Sequence, residues 1–118
     1  MILGLGIDLC EIDRMRGESA EKLMRRCCTE EEMTYIHSRG AAAPQTMAGL
    51  WAAKEAAVKA LGTGLSLPLK EIEIAHTDMG QPRYRLTGSA LTALGEGWLC
   101  LSITHEGNMA AAVCIWEG

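Results

Sequence analysis

The sequence has no apolar run long enough to cross a membrane and no excess of basic residues. A bilayer span needs roughly 20 apolar residues, and no uncharged stretch of the 118-residue sequence reaches that length. The apolar segment from Met1 to Ile7 runs into Asp8 and Glu11 with no basic residue before it, unlike an export signal. The 15 acidic and 11 basic residues give a formal net charge of −4, which argues against a general nucleic-acid binder. We therefore expect neither a membrane nor a nucleic acid as partner.

Cysteine and histidine are too few and too scattered for a disulfide framework or a zinc site. The five cysteines form an odd set with no CxxC pair, and the three histidines lack the spacing of zinc ligands. Reduced thiols that pack as small hydrophobic side chains in the cytoplasm are the simplest interpretation. The sequence also lacks a nucleophile elbow, a dinucleotide-binding glycine pattern and a P-loop. The chain therefore offers no obvious covalent nucleophile.

The composition and the pattern of the chain predict one folded α+β domain over residues 1–118. Hydrophobic residues make up 48% of the sequence and charged residues 22%, as in ordinary folded proteins. Helices are expected mainly in the first half and strands in the second, which favours an antiparallel sheet. The expected strands are 2–12, 71–75, 84–86, 98–104 and 109–116, and the expected helices are 19–28 (with Ser19 as N-cap), 29–40, 44–61 and a short one within 88–97.

The helix predicted over residues 44–61 carries charges in an unusual setting. Apolar residues lie on nearly every face of it, which is typical of a buried helix, yet it also carries Lys54, Glu55 and Lys59. A lone buried charge costs several kcal/mol unless a partner or a metal compensates it. Glu55 and Lys59 are four residues apart, so they share one face. They form either a surface ion pair within the helix or part of a functional site.

Asp8 interrupts an apolar strand, where aspartate is out of place by strand propensity. A buried carboxylate there favours a cation, and Mg²⁺ is commonly held by one or two carboxylates together with substrate phosphate oxygens. Asp8 and Glu55 would supply such ligands, and Lys59 would supply positive charge for a phosphate. The alternative is that Asp8 simply caps a turn at the end of its strand.

Two further segments carry candidate ligand contacts. Gly62-Thr63-Gly64 follows the long helix, and its glycines either let backbone amides approach a phosphate or only end the helix. A helix C-terminus disfavours anions, so a phosphate there would need Lys59 or a metal. Near the end of the chain, the hydroxyl groups and imidazole of Ser102 to His105 could meet a ligand, whereas His37 and His76 lie in polar surroundings and are expected to be exposed.

Residues 14–26 form a basic stretch in an acidic protein. They hold five basic residues (Arg14, Arg16, Lys22, Arg25 and Arg26) against two acidic ones. Such a run is either a solvated face or a docking surface for an acidic partner, whose attraction would weaken as salt rises.

These segments together resemble the holo-[acyl-carrier-protein] synthases, which are 4′-phosphopantetheinyl transferases. The matching segments are Gly6 to Arg14 (GIDLCEIDR), Thr29 to Glu32 (TEEE), Trp51 to Gly64 (WAAKEAAVKALGTG) and Ser102 to His105 (SITH). The resemblance implies an α+β fold with a long central helix. It also implies Mg²⁺-dependent transfer of phosphopantetheine from coenzyme A to a serine of apo acyl carrier protein, for fatty acid biosynthesis, with release of adenosine 3′,5′-bisphosphate. The attacking hydroxyl would belong to the partner protein, which accounts for the missing nucleophile.

The resemblance also implies a role for each candidate residue. Asp8 and Glu55 would hold Mg²⁺, and Lys59 would neutralise phosphate charge in the transition state. The serine proton would leave to a metal-bound water or to Glu55, and the sequence does not choose between them. The nucleotide part of coenzyme A would contact Gly62, Thr63, Gly64, Ser102, Thr104 and His105. The acidic carrier protein would dock on Arg14, Lys22, Arg25 and Arg26.

Chains of this length in the family resemble one half of a duplicated class of transferase, which implies a homotrimer with active sites between subunits. The sequence departs from the family pattern in three places. Leu50 replaces a basic residue common before the aromatic position, Cys27-Cys28 replaces an aliphatic–aromatic pair, and Gly17 falls where a continuous docking helix is expected. Two other functions remain open: a trimeric module that binds coenzyme A or a carrier protein without catalysis, and a small Mg²⁺-dependent hydrolase of nucleotide phosphates.

Overall fold

A computed structural model describes residues 1–62 and 66–118 of the chain. The strands are β1 (Ile2–Glu11), β2 (Ile72–His76), β3 (Pro82–Leu86), β4 (Trp98–Glu106) and β5 (Met109–Glu117). The helices are α1 (Glu18–Cys27), α2 (Glu30–Ser38), α3 (Ala43–Leu61) and α4 (Gly88–Leu94), with short 3₁₀ turns at Ile12–Met15, Gly40–Ala42 and Leu69–Glu71. Within these two ranges no helix has the length and apolar character that a membrane crossing requires. All five cysteines are free thiols.

The fold is α+β, as predicted, but its strands form two antiparallel sheets. Strands β1, β5 and β4 form a three-stranded sheet in that order, and β2 pairs with β3 in a separate hairpin. In the larger sheet Asp8 lies opposite Ala112, which in turn lies opposite Ile103. Because side chains alternate across a strand, these three residues share the face that packs against α3.

Strand β1 approaches α3 so closely that only glycine fits at two positions. A Cβ atom on Gly6 would lie 1.8 Å from the carbonyl oxygen of Ala56, and one on Gly4 would lie 1.9 Å from that of Ala60. This contact explains the alternation of glycine with aliphatic residues in β1, since a glycine in a strand often marks close approach of another backbone. It also brings Asp8 beside the last turns of α3.

The charge of Lys54 is neutralised in a buried ion pair between α3 and α2. Lys54 and Glu32 are both fully buried, and Lys54 Nζ donates to Glu32 Oε1 at 2.9 Å. The same ammonium group donates to the carbonyl oxygens of Leu69 (2.9 Å) and Ile72 (2.7 Å). The second carboxylate oxygen of Glu32 accepts from the amide of Ile74 at 2.9 Å. Lys54 therefore holds α2, the 3₁₀ turn and β2 against α3, and it does not face solvent.

The helix starts differ from the prediction in one case and agree in another. Helix α1 begins at Glu18 and its N-cap is Gly17, whose φ of 89° suits glycine, so Ser19 lies inside the helix and is not the cap. Gly17 thus precedes the helix and does not interrupt it. The predicted capping box at Thr29 and Glu32 is confirmed, with both reciprocal hydrogen bonds present.

The larger sheet exposes an apolar face on the side away from α3. Leu5, Ile7 and Leu9 of the edge strand β1 are each more than 60% exposed. Their cross-strand neighbours Ile115, Val113 and Ala111 extend the same face. We call these six residues the outer face.

Candidate functional site

Asp8 and Lys59 form an ion pair between β1 and α3. Lys59 Nζ donates to Asp8 Oδ1 at 3.1 Å and to the carbonyl oxygen of Ile7 at 3.0 Å. The Asp8 side chain is only 17% exposed, whereas that of Lys59 is 53% exposed. Asp8 is held mid-strand by pairing to β5, so it does not cap a turn at the end of its strand. The pair opens onto a surface depression lined by Ile7, Asp8, Leu9 and Lys59.

Glu55 completes the cluster from the preceding turn of α3. Partial burial raises the pKa of the Glu55 carboxyl, and the negative charge of Asp8 raises it further, while Lys59 lowers it. Lys59 forms its ion pair with Asp8, and within the described ranges 1–62 and 66–118 it forms none with Glu55. Of the two alternatives for Glu55 and Lys59, the structure therefore favours a cluster of two carboxylates and one ammonium group over an ion pair within the helix.

The donor set of this cluster fits a hard divalent cation that shares its coordination with a ligand. In the part of the chain that the structure describes, no group of three or more histidine, cysteine or acidic side chains could hold a metal. A pair of carboxylates suits Mg²⁺, which usually retains waters and takes substrate phosphate oxygens as its other ligands. The repulsion that raises the pKa of Glu55 is also what a bound cation would relieve.

His105 lies in a separate cleft between α3, β4 and the β2–β3 hairpin. Nε2 of Gln45 lies 3.1 Å from Nε2 of His105, so the imidazole nitrogen is the acceptor. Leu50 is buried at the base of the same cleft. Its opposite wall is a stack of Tyr35 on His76, with ring centroids 4.0 Å apart and planes 14° apart.

His76 is half-buried, so the expectation that it is exposed was wrong. Burial lowers the pKa of His76, and the nearby charge of Arg39 lowers it further. The sequence analysis did not predict that Gln45, Tyr35 and His76 line a cleft. Tyr35 lies on α2, Gln45 in the first turn of α3 and His76 on β2, so their proximity depends on how distant segments pack and no local pattern indicates it.

Within one chain, the side chains of Ser102 and Thr104 lie on the opposite face of β4 from that of His105. They pair with Val113 and Ala111 of the outer face, whereas His105 pairs with Ala110 on the face toward α3. Gly62 ends α3 in a left-handed conformation with φ of 66°, as a glycine cap does. Thr63 and Gly64, the other two residues of that predicted segment, lie outside the described residues.

The basic stretch is exposed, as a docking surface requires. Arg14 lies in the 3₁₀ turn after β1, and Lys22, Arg25 and Arg26 lie on α1; all four are exposed. We call these four residues the docking face. Glu21 pairs with Arg25 at 3.1 Å and lies 2.7 Å from His37 of α2, a contact that the sequence analysis did not foresee.

Several known proteins are similar to this chain in sequence and in fold over nearly their whole lengths. A sequence model of the 4′-phosphopantetheinyl transferase superfamily matches residues 4–114. A holo-[acyl-carrier-protein] synthase of Treponema denticola is 46% identical, over 100% of this chain and 100% of that protein. One of Clostridium tetani is 40% identical, over 100% of this chain and 98% of that protein. The crystal structure of a holo-(acyl-carrier-protein) synthase from Bacillus anthracis in complex with CoA (3′,5′-ADP) is similar with a TM-score of 0.83, at 33% identity over 98% of this chain and 96% of that one.

Proposed function

The chain belongs to the holo-[acyl-carrier-protein] synthase family of 4′-phosphopantetheinyl transferases, and from that membership we propose that it transfers 4′-phosphopantetheine from coenzyme A to a serine of apo acyl carrier protein. It is an enzyme of the transferase class. The observation that carries the proposal is the cluster of Asp8, Glu55 and Lys59 between β1 and α3. A module that only binds coenzyme A has no need for two carboxylates beside a phosphate.

The proposed reaction is a phosphoryl transfer in which the nucleophile comes from the partner. The carrier serine oxygen forms a bond to the phosphorus that bears pantetheine, and the bond from that phosphorus to the bridging diphosphate oxygen breaks. The bridging oxygen leaves with adenosine 3′,5′-bisphosphate. Lys59 stabilises negative charge on the phosphates as the bond breaks. The serine proton needs an acceptor, and partial burial together with the charge of Asp8 raises the pKa of Glu55, which makes this carboxylate a better proton acceptor than an exposed one.

Asp8 and Glu55 are the residues that we propose to hold Mg²⁺ in this site. When bound, the ion would neutralise charge on the diphosphate of coenzyme A. Two carboxylates and one ammonium group leave a single net negative charge, which suits a divalent cation that arrives together with an anionic substrate. Lys59 at the end of α3 would meet the phosphates, and the resemblance assigns Gly62, Thr63 and Gly64 to the nucleotide part of coenzyme A.

We propose that the nucleotide part of coenzyme A spans two copies of the chain. His105 and its cleft would contact the nucleotide from one subunit, while Ser102 and Thr104 would do so from the outer face of another. The outer face supports a homotrimer, because contiguous exposed apolar area on a sheet is a mark of an interaction site. Covering Leu5, Ile7 and Leu9 would remove that area from water and bring neighbouring subunits beside Asp8.

The docking face would bind the acidic carrier protein. The four basic residues are exposed and lie on the helix and turn that follow β1, at the end of the strand that carries Asp8. We further propose that residues 1–118 act as one domain, that it serves fatty acid biosynthesis, and that it works in the cytoplasm. The five free thiols support a reducing compartment.

The test is to incubate the purified protein with apo acyl carrier protein, coenzyme A and Mg²⁺ and to weigh the carrier by intact mass spectrometry. We expect one added phosphopantetheine, lost when Mg²⁺ is chelated. Glu55→Gln should abolish transfer and leave the fold intact, whereas the matched change Glu96→Gln at an exposed position should leave transfer unchanged. A carrier that stays unmodified while the protein binds coenzyme A would favour the non-catalytic module.

A further inference from the structure

Lys59 forms an ion pair with the carboxylate of Asp8, which is one of the two proposed ligands of the metal ion. Its ammonium group donates to Asp8 Oδ1 at 3.1 Å and to the carbonyl oxygen of Ile7 at 3.0 Å. An ammonium group on a carboxylate oxygen and a divalent cation on the same carboxylate repel each other at this distance. The two cations therefore compete for Asp8.

The surroundings of Lys59 allow it to leave Asp8 without disturbing the core. The Lys59 side chain is half-exposed, and the depression beside it is open to solvent. Its backbone is fixed in the last turn of α3, so the movement is confined to its flexible four-carbon stem. The backbone of Asp8 stays in place, because β1 packs directly against the α3 backbone at Gly4 and Gly6.

We infer that Lys59 is an internal cation that neutralises Asp8 in the free protein, gives way to the divalent ion, and is thereby released toward the diphosphate of coenzyme A. The inference rests on the proposed function. It assigns Lys59 two successive positions and makes metal and coenzyme A bind cooperatively, since each ligand favours the position of Lys59 that suits the other. In the free protein the site carries no uncompensated charge at Asp8.

Substitution of Lys59 should improve one property of the site, its affinity for a divalent metal ion, even though it should impair transfer. Removal of a positive charge from the site should strengthen the binding of Mn²⁺ alone. Broadening of amide signals around Asp8 in nuclear magnetic resonance spectra measures Mn²⁺ binding without coenzyme A, even when binding is weak. We expect Lys59→Met to bind Mn²⁺ about two- to fivefold more tightly than the wild-type chain, the range that corresponds to loss of a half-exposed ion pair.

Matched variants separate competition at Asp8 from a general change of charge. Lys70→Met removes one positive charge at an exposed position away from the cluster and should leave the Mn²⁺ affinity unchanged. Lys59→Arg keeps the positive charge and should not gain affinity. In a calorimetric titration, Mn²⁺ should increase the affinity for coenzyme A less in Lys59→Met than in the wild-type chain. If Lys59→Met does not fold, Lys59→Gln makes the same test with a polar side chain.

The outcomes distinguish this inference from the proposed function beneath it. Mn²⁺ binding by Lys59→Met that is equal to or weaker than that of the wild-type chain would overturn the role of Lys59. Asp8→Asn should lose the binding. If Asp8→Asn instead binds Mn²⁺ as well as the wild-type chain, then the metal site itself is wrong, and the inference fails with it.

Discussion

The contact between the backbones of β1 and α3 can be tested by adding one methyl group, in Gly6→Ala. The new Cβ atom would lie 1.8 Å from the carbonyl oxygen of Ala56, and 2.8 and 2.9 Å from the carbonyl carbon of Ala56 and the amide nitrogen of Ala60. All three are backbone atoms of a buried helix, so none can rotate away. The sheet has to retreat from the helix.

The size of the effect follows from that distance. A separation of 1.8 Å is about half of the 3.4 Å at which ordinary van der Waals contact begins. Overpacking usually costs 1–3 kcal/mol, and we expect about 3 kcal/mol here because the obstacle is rigid. In a chain of this size that loss lowers the melting temperature by roughly 10 °C. Asp8 lies two residues further along β1, and a displacement of about 1 Å can reduce turnover on the order of a hundredfold.

The assay pairs denaturant unfolding with the rate of carrier modification. Gly49→Ala is the matched control, because Gly49 also lies on the buried side of α3 but its new Cβ would meet only the side-chain atom Ile103 Cγ2, at 3.2 Å. Alanine also favours a helix over glycine by about 1 kcal/mol, so we expect the control to stay within about 1 kcal/mol of the wild-type chain. If the free energy of unfolding of Gly6→Ala lies within about 0.5 kcal/mol of the wild-type value and its turnover is unchanged, β1 does not pack as closely against α3 as described.

Ile7→Lys on the outer face should yield monomers in size-exclusion chromatography with light scattering, whereas Leu91→Lys on α4, also exposed, should not; an unchanged mass for Ile7→Lys would contradict the trimer. Reversal of charge across the docking face should raise KM for the carrier and not for coenzyme A, unlike Arg83→Glu on the hairpin, and equal kinetics would remove the docking assignment. The pKa of His76 is lowered in the folded protein, so this imidazole binds a proton at a higher pH in the unfolded chain than in the folded one. The free energy of unfolding should therefore fall as the pH drops through about 6.5. His76→Asn should show a smaller fall, and an equal fall would assign the effect to other groups.

The cluster of Asp8, Glu55 and Lys59 could be predicted because each residue violates its local pattern. An aspartate in an apolar strand and charges on an apolar helix are out of place wherever the strand and helix pack, so their meeting required only that β1 lie against α3. The capping box at Thr29 was predictable for the same local reason, since its two hydrogen bonds join residues three positions apart.

The remaining features depend on contacts between distant segments. The partner of Lys54 is Glu32, 22 residues away, and nothing near either residue identifies the other. The separation of Ser102 and Thr104 from His105 was present in the sequence, because residues of opposite parity on one strand face opposite sides. The division of the strands into two sheets depends on how the hairpin packs, which the alternation of apolar residues does not specify.

The buried Lys54 has a consequence for how the molecule opens. Its three acceptors belong to α2, to the 3₁₀ turn at Leu69 and to β2, and together they keep an ammonium group out of water. A partly open form that released any one of these segments would leave the buried ammonium group of Lys54 without one of its acceptors, which costs several kcal/mol. Helix α2 and strand β2 should therefore exchange their amide hydrogens through one shared opening event, although they are separated by the whole of α3 in the chain.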